Sequence, residues 1–330
     1  MRKLGRLLMF GLAFVSNNKI WAASLPTFSA VEGTSRDQQI RQVEQAFEDA
    51  VLLARVTAAT FDPCEETFLR YFRPLEAAFV KQVFRTIANI PLNQELDSDN
   101  VVGILSSASV ARDLQPKFNQ LEIAYGNHPA LPEDKQDCGK AVIKGEGGIT
   151  AAFAFIDPRV LGDIALVSMC DEAFEYPTLE EIANPPSSAR DPQGNPDPGY
   201  TCGGLGDHDS DWMTSPGGVL LHELLHWTFL LEDIPGFEDI IDENEDDFPQ
   251  IIDFWGPNPP DGYGPFHANQ FRNLGAYVAI QNADTYRCYA QSKYWAWKCG
   301  KSFGPAQSED DNIRRTGVRV VQGDPETGDD

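Results

Sequence analysis

Hydrophobic residues recur every three to four positions over most of the first third of the chain. This spacing covers residues 35–59 and continues over residues 66–90, so each range can present one apolar helix face. In the first range the apolar positions are Ile40, Val43, Phe47, Val51 and Leu52. Pro74 is expected to bend the second helix because proline lacks a backbone N–H. The acidic run at 97–99 predicts the cap of a third helix that begins at Val101.

The hydrophobic pattern changes to that of β-strands in the middle of the chain. Two short apolar runs, residues 149–156 and 164–169, are bounded by turn-forming Gly and Asp residues. Residues 177–217 then form a long stretch rich in Pro, Gly, Asp and Ser, which predicts a functional or tethered loop. The predicted fold class is therefore α+β, with N-terminal helices over residues 25–145. A small mixed sheet and further helices are predicted over residues 146–303.

Both ends of the sequence depart from this pattern. Residues 1–24 begin with basic residues, continue with a short apolar stretch and end with small residues, as secretory signal peptides do. Residues 304–330 are polar and are predicted to be a disordered tail. We therefore expect a secreted, extracellular protein whose signal peptide is cleaved near Ser24.

Acidic residues outnumber basic ones by 50 to 26, which gives a net charge of −24. An acidic surface repels phosphate backbones and anionic lipids, so this charge argues against nucleic-acid and membrane partners. No stretch of the sequence reaches the roughly 18 apolar residues of a transmembrane helix. A dense acidic run over residues 232–253 lacks any basic residue, and such a rim can attract cationic substrates.

The sequence contains six cysteines, and none has the CxxC spacing of a zinc ribbon. In a secreted chain this favours disulfide bonds over metal thiolates. We expect cysteines that are neighbours along the chain to pair with each other. The predicted bonds are Cys64–Cys138, Cys170–Cys202 and Cys288–Cys299.

The segment around residue 222 contains the candidate chemistry. Ser215 and Pro216 are typical of the first positions of a helix, and an almost continuous apolar sequence follows them. The polar exceptions are His222, Glu223 and His226. Residues four apart share a helix face, so both imidazoles can bind one zinc ion while the glutamate reaches a water molecule bound to it. This is the HExxH arrangement, in which the glutamate is the general base.

A catalytic zinc site requires a third protein ligand. The metzincin motif is excluded because Phe229 and Glu232 stand where that motif has Gly and His. Asp261 has a structural explanation as part of a Pro-Asp-Gly turn, and Glu243 lies in a charged run rather than in a clear helix. Asp253 ends an apolar run and is flanked by aromatic residues, where a carboxylate needs a compensating cation. Asp253 is therefore the preferred ligand, and the other two are alternatives.

Several short segments resemble the deuterolysin and peptidyl-Lys metallopeptidase family. They are His222-Glu223-Leu224-Leu225-His226, the Asp downstream of it, Tyr263-Gly264-Pro265 and Asn282-Ala283-Asp284-Thr285-Tyr286. The resemblance covers roughly residues 149–300. It is closest to secreted fungal proteins with a lysine-specific metallo-endopeptidase domain. It implies an Asp-zincin, in which two His and one Asp bind zinc and the tyrosine before glycine, here Tyr263, stabilises the oxyanion.

The chain departs from the family pattern in the loop that supplies the aspartate. Family members carry GTxxDxxYG, whereas Pro257 stands here in place of the threonine and the Asp before Tyr263 is only two positions away. Asp261 therefore stays an alternative zinc ligand. Asp284 lies in a stretch predicted to be helical from residue 266 to 297, and we expect it to orient neighbouring groups.

These observations predict a monomeric zinc metalloendopeptidase that hydrolyses protein or peptide substrates. Its expected fold is zincin-like, with N-terminal helices, a small mixed sheet and the HExxH helix. One zinc ion is expected on His222, His226 and Asp253. Glu223 is then the general base and Tyr263 supports the oxyanion. The alternatives are a catalytically silent binding protein with the same fold and a gluzincin-type protease with a glutamate as third ligand.

Overall fold

A computed structural model describes residues 25–30, 35–96, 101, 103–105, 114–140, 150–243 and 248–313. The predicted signal peptide, residues 1–24, lies outside the described residues, as does the end of the predicted tail. Most of the predicted third helix also lies outside them. The described residues of that helix, 101 and 103–105, are helical.

Four strands in the described residues form one small mixed sheet. They are β1 (Thr27–Ala30), β2 (Leu121–Tyr125), β3 (Ala152–Phe155) and β4 (Ala165–Met169). Their order across the sheet is β1-β2-β4-β3, in which β2 runs parallel to both β1 and β4 and β3 is antiparallel to β4. The two predicted strand runs are confirmed as β3 and β4. The sequence did not predict β1 and β2, because both are short and lie in the part expected to be helical.

The α-helices of the described residues are α1 (Arg36–Ala59), α2 (Glu66–Tyr71), α3 (Ala77–Ile87), α4 (Pro158–Leu161), α5 (Leu179–Ala183), α6 (Thr201–Gly204), α7 (Pro216–His226), α8 (Thr228–Leu231), α9 (Phe237–Ile240), α10 (Gly264–Ala268) and α11 (Ala283–Cys299). Short 3-10 helices cover Pro74–Glu76, Pro116–Gln120, Glu133–Lys135, Asp171–Glu175, Ser187–Ala189, Asp211–Met213, Phe271–Asn273, Ala279–Gln281 and Glu309–Asn312. The mixed α+β class is thus confirmed. No helix in the described residues is long and apolar enough to span a bilayer.

The predicted helices of the first third are confirmed with one difference. α1 begins and ends within one residue of its predicted range. The second predicted helix is broken rather than bent, because α2 ends at Tyr71 and α3 begins only after Pro74. Arg73 adopts an extended conformation with ψ of 153°, as residues before proline usually do. The stretch predicted to be helical over 266–297 is likewise divided between α10 and α11.

α7 lies at the centre of the hydrophobic core. α1 and α11 pack against it, and β3 covers it from the side of the sheet. Two glycines in its first turn permit this close packing. A Cβ on Gly217 would lie 2.3 Å from the Cβ of Asp49 in α1, and one on Gly218 would lie 2.2 Å from Nε2 of Gln291 in α11. All residues of α7 up to residue 225 are therefore buried, and only the helix end approaches the surface.

Two disulfide bonds cross-link the described residues. They are Cys138–Cys170 and Cys202–Cys299. Cys64 is an exposed free thiol and Cys288 a buried one. The predicted bonds Cys64–Cys138, Cys170–Cys202 and Cys288–Cys299 are all wrong. Cys288 and Cys299 both lie in α11, where eleven residues of helix separate them by about 16 Å, far beyond the reach of a disulfide.

The long segment over residues 177–217 is tethered, as its length suggested. The bond from Cys202 connects it to the C-terminal end of α11, and short helices interrupt it. Residues 304–313, the start of the tail predicted to be disordered, pack against this segment. His208 forms a bridge with Gly304, and its Nε2 lies 3.1 Å from Oδ1 of the fully buried Asp311.

Candidate metal centre

The side chains predicted to bind zinc converge at the C-terminal end of α7. His222 and His226 lie on one face of this helix, and Asp253 approaches from the segment before α10. One ligand atom of each residue lies within 4.8 Å of the other two. Among the described residues, this is the only group of His, Cys, Asp and Glu side chains with that geometry. The three residues can therefore hold a metal ion.

The distances within the group suit a single ion. Nε2 of His222 lies 2.9 Å from Oδ1 of Asp253, and Nε2 of His226 lies 3.3 Å from Oδ2. Zinc is bound at about 2.0–2.2 Å by nitrogen and oxygen, so ligand atoms on one tetrahedral ion lie roughly 3–3.5 Å apart. The facing atoms of His222 and Asp253 are buried, and among the described residues no group outside the three ligands forms a hydrogen bond with them. Such atoms are costly unless a ligand satisfies them, and a cation at the centre would do so.

Both imidazoles are oriented by the nitrogen that faces away from the centre. Nδ1 of His226 lies 2.7 Å from the carbonyl oxygen of Ile251. Nδ1 of His222 lies 3.1 Å from Oδ1 of Asp284. Both oxygens are acceptors, so each Nδ1 carries the proton and each Nε2 directs its lone pair towards the centre. Metal-binding histidines characteristically have this arrangement.

Asp284 is the carboxylate that orients His222. It lies fully buried in α11, where Arg287 donates to both of its oxygens and the backbone N–H of Gly264 donates to Oδ2 at 2.6 Å. Burial alone would raise the pKa of Asp284, but the charge of Arg287 and the contact with His222 lower it below its usual range. Asp284 is therefore ionised. It connects His222 of the HExxH helix with α11 and with Gly264, the first residue of α10.

The electrostatics of the group are dominated by the three ligands themselves. Burial disfavours protonation of both imidazoles, but the carboxylate of Asp253 overcomes this, raising the pKa of His222 to about 10 and also raising that of His226. Burial would raise the pKa of Asp253, but the two imidazoles lower it. Protons therefore compensate the carboxylate when no metal is bound. A metal ion must displace those protons, so its affinity falls as the pH decreases.

Two further groups with possible catalytic roles flank the ligands. Glu223 follows His222 in α7 and is buried. Tyr263 is also buried, and its ring stacks on the ring of His222 at a centroid distance of 5.8 Å. Trp255 packs against Tyr263 at 4.7 Å. Burial, followed by the charge of Asp253, raises the pKa of Tyr263 well above its usual value. The phenol is therefore neutral and can donate a hydrogen bond.

The other candidate ligands lie outside the metal group. Oδ1 of Asp261 accepts a hydrogen bond from the backbone N–H of Tyr263 at 2.9 Å, so this carboxylate closes the turn that precedes the tyrosine. Glu243 is exposed and forms an isolated bridge with Pro249. The geometry thus agrees with Asp253 as the preferred ligand and gives Asp261 the turn role expected of a Pro-Asp-Gly sequence.

The sequence did not reveal two supports of the site. The carbonyl of Ile251 contacts His226 next to the bridge between Ile252 and Asn282, and such a pairing between distant residues has no local signature. In the sequence, Trp255 is only an aromatic neighbour of Asp253. Its contact with Tyr263 depends on the bridge between Trp255 and Asp261, which folds this segment into a narrow loop.

Comparison with known proteins adds no family assignment. No protein-family model matches the chain, and a search of curated proteins finds no match. The proposed function therefore rests on the geometry and chemistry of the metal centre.

Proposed function

We propose that the protein is a secreted zinc-dependent metalloendopeptidase of the Asp-zincin type. The observation that carries this proposal is the convergence of three ligand atoms at the end of a buried HExxH helix. Nε2 of His222 and Nε2 of His226 both face the carboxylate of Asp253. Glu223, the HExxH glutamate, lies between the two histidines in the sequence. The resemblance to the deuterolysin and peptidyl-Lys metallopeptidase family supports the same function.

The donor set favours zinc over calcium and magnesium. Calcium and magnesium prefer oxygen ligands, whereas two neutral imidazoles and one carboxylate are typical of catalytic zinc. Three protein ligands leave one position for water or substrate. The side chain of His222 is fully buried, whereas 14% of the His226 side chain is exposed. The side of His226 is therefore where a substrate would approach.

The residues of the proposed zinc site have separable roles in hydrolysis. A zinc ion held by His222, His226 and Asp253 would polarise the substrate carbonyl and lower the pKa of a water molecule. Glu223 accepts a proton from the attacking water and transfers it to the amine that leaves when the peptide bond breaks. The neutral phenol of Tyr263 donates a hydrogen bond to the oxyanion. Asp284 keeps the proton of His222 on Nδ1, so that Nε2 remains a ligand.

Other features of the chain support secretion and a peptide substrate. Two disulfide bonds are typical of oxidising compartments, and residues 1–24 have the pattern of a signal peptide. The acidic surface suits protein or peptide substrates that carry basic residues rather than nucleic acids or membranes. We propose that the enzyme acts as a monomer.

The alternatives have less support. A gluzincin-type protease would need Glu243 as the third ligand, but this side chain is exposed and lies outside the metal group. A catalytically silent binding protein would have no use for Glu223 and Tyr263 at a metal site. Both residues are present and buried beside the ligands, which favours the enzyme.

The Glu223→Gln variant tests the proposed function. Glutamine keeps the shape of the side chain but cannot accept the proton, so casein hydrolysis should fall by roughly 10²–10⁴-fold, the usual contribution of a general base. Metal analysis should still find one equivalent of zinc. Glu44→Gln, at an exposed position of α1, is the matched control and should keep full activity. Residual activity within about tenfold of the unmodified protein would remove Glu223 from this role. A zinc-loaded wild-type protein without activity would favour the binding protein.

A further inference from the structure

A cavity of about 500 Å³ lies between the end of α1, one face of α3 and the chain that follows α3. Its apolar wall includes Phe61, Leu92 and Leu96, and its polar wall includes Lys81 and Arg85. Cavities that bind small molecules commonly have this size and this mixture of apolar and polar groups. None of the residues that line it belongs to the metal centre.

Lys81 and Arg85 lie four residues apart in α3, so both side chains project from the same helix face. Arg85 is only 4% exposed. One of its terminal nitrogens donates to the carbonyl oxygens of Pro91 and Leu92 at 3.2 and 2.9 Å, while its Nε has no hydrogen-bond partner. In the described part of the chain, no carboxylate forms an ion pair with either cation.

Two other buried arginines have a carboxylate partner. Arg70 pairs with Asp209 and Arg287 pairs with Asp284. These carboxylates overcome the effect of burial and raise the pKa of each guanidinium, whereas burial lowers the pKa of Arg85. A shortage of acids does not explain the difference, because the sequence has 50 acidic and only 26 basic residues. A buried charge without a counter-ion is costly, and a bound anion would remove that cost.

We propose that this cavity binds a small organic carboxylate with an apolar chain. The carboxylate would lie between Lys81 and Arg85, whose guanidinium matches its planar geometry, and the chain would pack on Phe61, Leu92 and Leu96. Glu95 also lines the cavity, so the described lining residues carry one net positive charge and suit a monoanion. A phosphate dianion fits less well, because its second negative charge would have no cation of the lining to neutralise it.

Titration calorimetry of the purified protein with octanoate tests this proposal. We expect saturable binding of one octanoate, and weaker binding of uncharged 1-octanol by about tenfold or more, the value of one charge-assisted hydrogen bond. Lys81→Met removes the charge and keeps an unbranched side chain, so it should weaken octanoate binding by a similar factor. Lys298→Met, at an exposed position of α11, is the matched control and should bind octanoate within about twofold of the unmodified protein.

Four results would overturn the proposal. The first is the absence of saturable octanoate binding up to about 10 mM, beyond which binding energies are negligible. The second is equal affinity of the protein for octanoate and 1-octanol. The others are an unchanged octanoate affinity in Lys81→Met and equally tight binding of inorganic phosphate. The comparison of octanoate with 1-octanol uses only the unmodified protein, so it remains decisive if a variant fails to fold. Casein hydrolysis should be unaffected in Lys81→Met, so this test is independent of the proposed protease function.

Discussion

Two buried clusters of charged side chains contact α11, and they compensate their charges in different ways. In the first cluster, Asp209 accepts hydrogen bonds from Ser292 and Tyr71, both at 2.8 Å, and forms an ion pair with Arg70. Arg70 also donates to the carbonyl of Phe303. Both oxygens of Asp209 are therefore satisfied by donors of the same chain.

The metal centre has no such complete set of hydrogen-bond donors from the surrounding chain. Nε2 of His222 and Oδ1 of Asp253 face each other at 2.9 Å, and among the described residues no group outside the three ligands bonds to either atom. Burial of charge is thus common to both clusters and does not by itself indicate function. The second cluster differs because its three ligand atoms lie close together and only protons on the imidazoles compensate the carboxylate, so a metal ion can take the place of those protons.

The largest effect is expected when the ion pair between Arg70 and Asp209 is broken. Asp209→Ala leaves the buried guanidinium of Arg70 without its counter-ion, so the free energy of unfolding should fall by about 3–5 kcal/mol. Urea unfolding measures this change. The loss in free energy of unfolding should be the same with and without a chelator, because this cluster involves no metal. Asp207→Ala, at an almost fully exposed carboxylate, is the control and should change stability by less than about 0.5 kcal/mol. A loss that appears only in the metal-loaded protein would contradict the distinction between the clusters.

A smaller effect is expected from the carboxylate that orients His222. Asp284→Asn keeps the shape of the side chain but removes the negative charge beside Nδ1, so zinc affinity should decrease by about 10–100-fold. Competition with a chromophoric chelator measures this affinity. Asp239→Asn, at an exposed position of α9, should leave it unchanged. An unchanged affinity in Asp284→Asn would show that packing alone holds His222 in place.

The sequence predicted most completely the features that depend on local chemistry. α7 begins where the sequence predicts because Ser215 caps it, with Oγ accepting from the N–H of Gly218 at 3.2 Å, and because Pro216 suits the first position. The spacing of His222 and His226 required nothing beyond helix geometry. The apolar surroundings of Asp253 leave its carboxylate without a simple structural explanation, so the sequence favours it as a ligand, and the structure groups it with both histidines.

Features that depend on distant residues were not predictable in the same way. β1 and β2 are short strands that become recognisable only when paired with each other and with β4. The disulfide bonds join cysteines according to the path of the chain in space, so pairing by order along the sequence failed. The contact between Ile251 and His226 also depends on a long-range bridge. Pairing energies of this kind have no signature in a single segment.

Zinc analysis of Asp253→Ala and Asp261→Ala tests the central claim most directly. Asp253→Ala removes a proposed ligand and leaves two histidines, so the purified variant should contain no zinc and show no activity. Asp261→Ala removes a turn hydrogen bond to Tyr263 and a 3.9 Å contact with His267 but no proposed metal ligand, so it should lose about 1 kcal/mol of stability and retain one equivalent of zinc. One equivalent of zinc in Asp253→Ala, or loss of zinc in Asp261→Ala alone, would contradict the assignment of His222, His226 and Asp253 as the metal ligands.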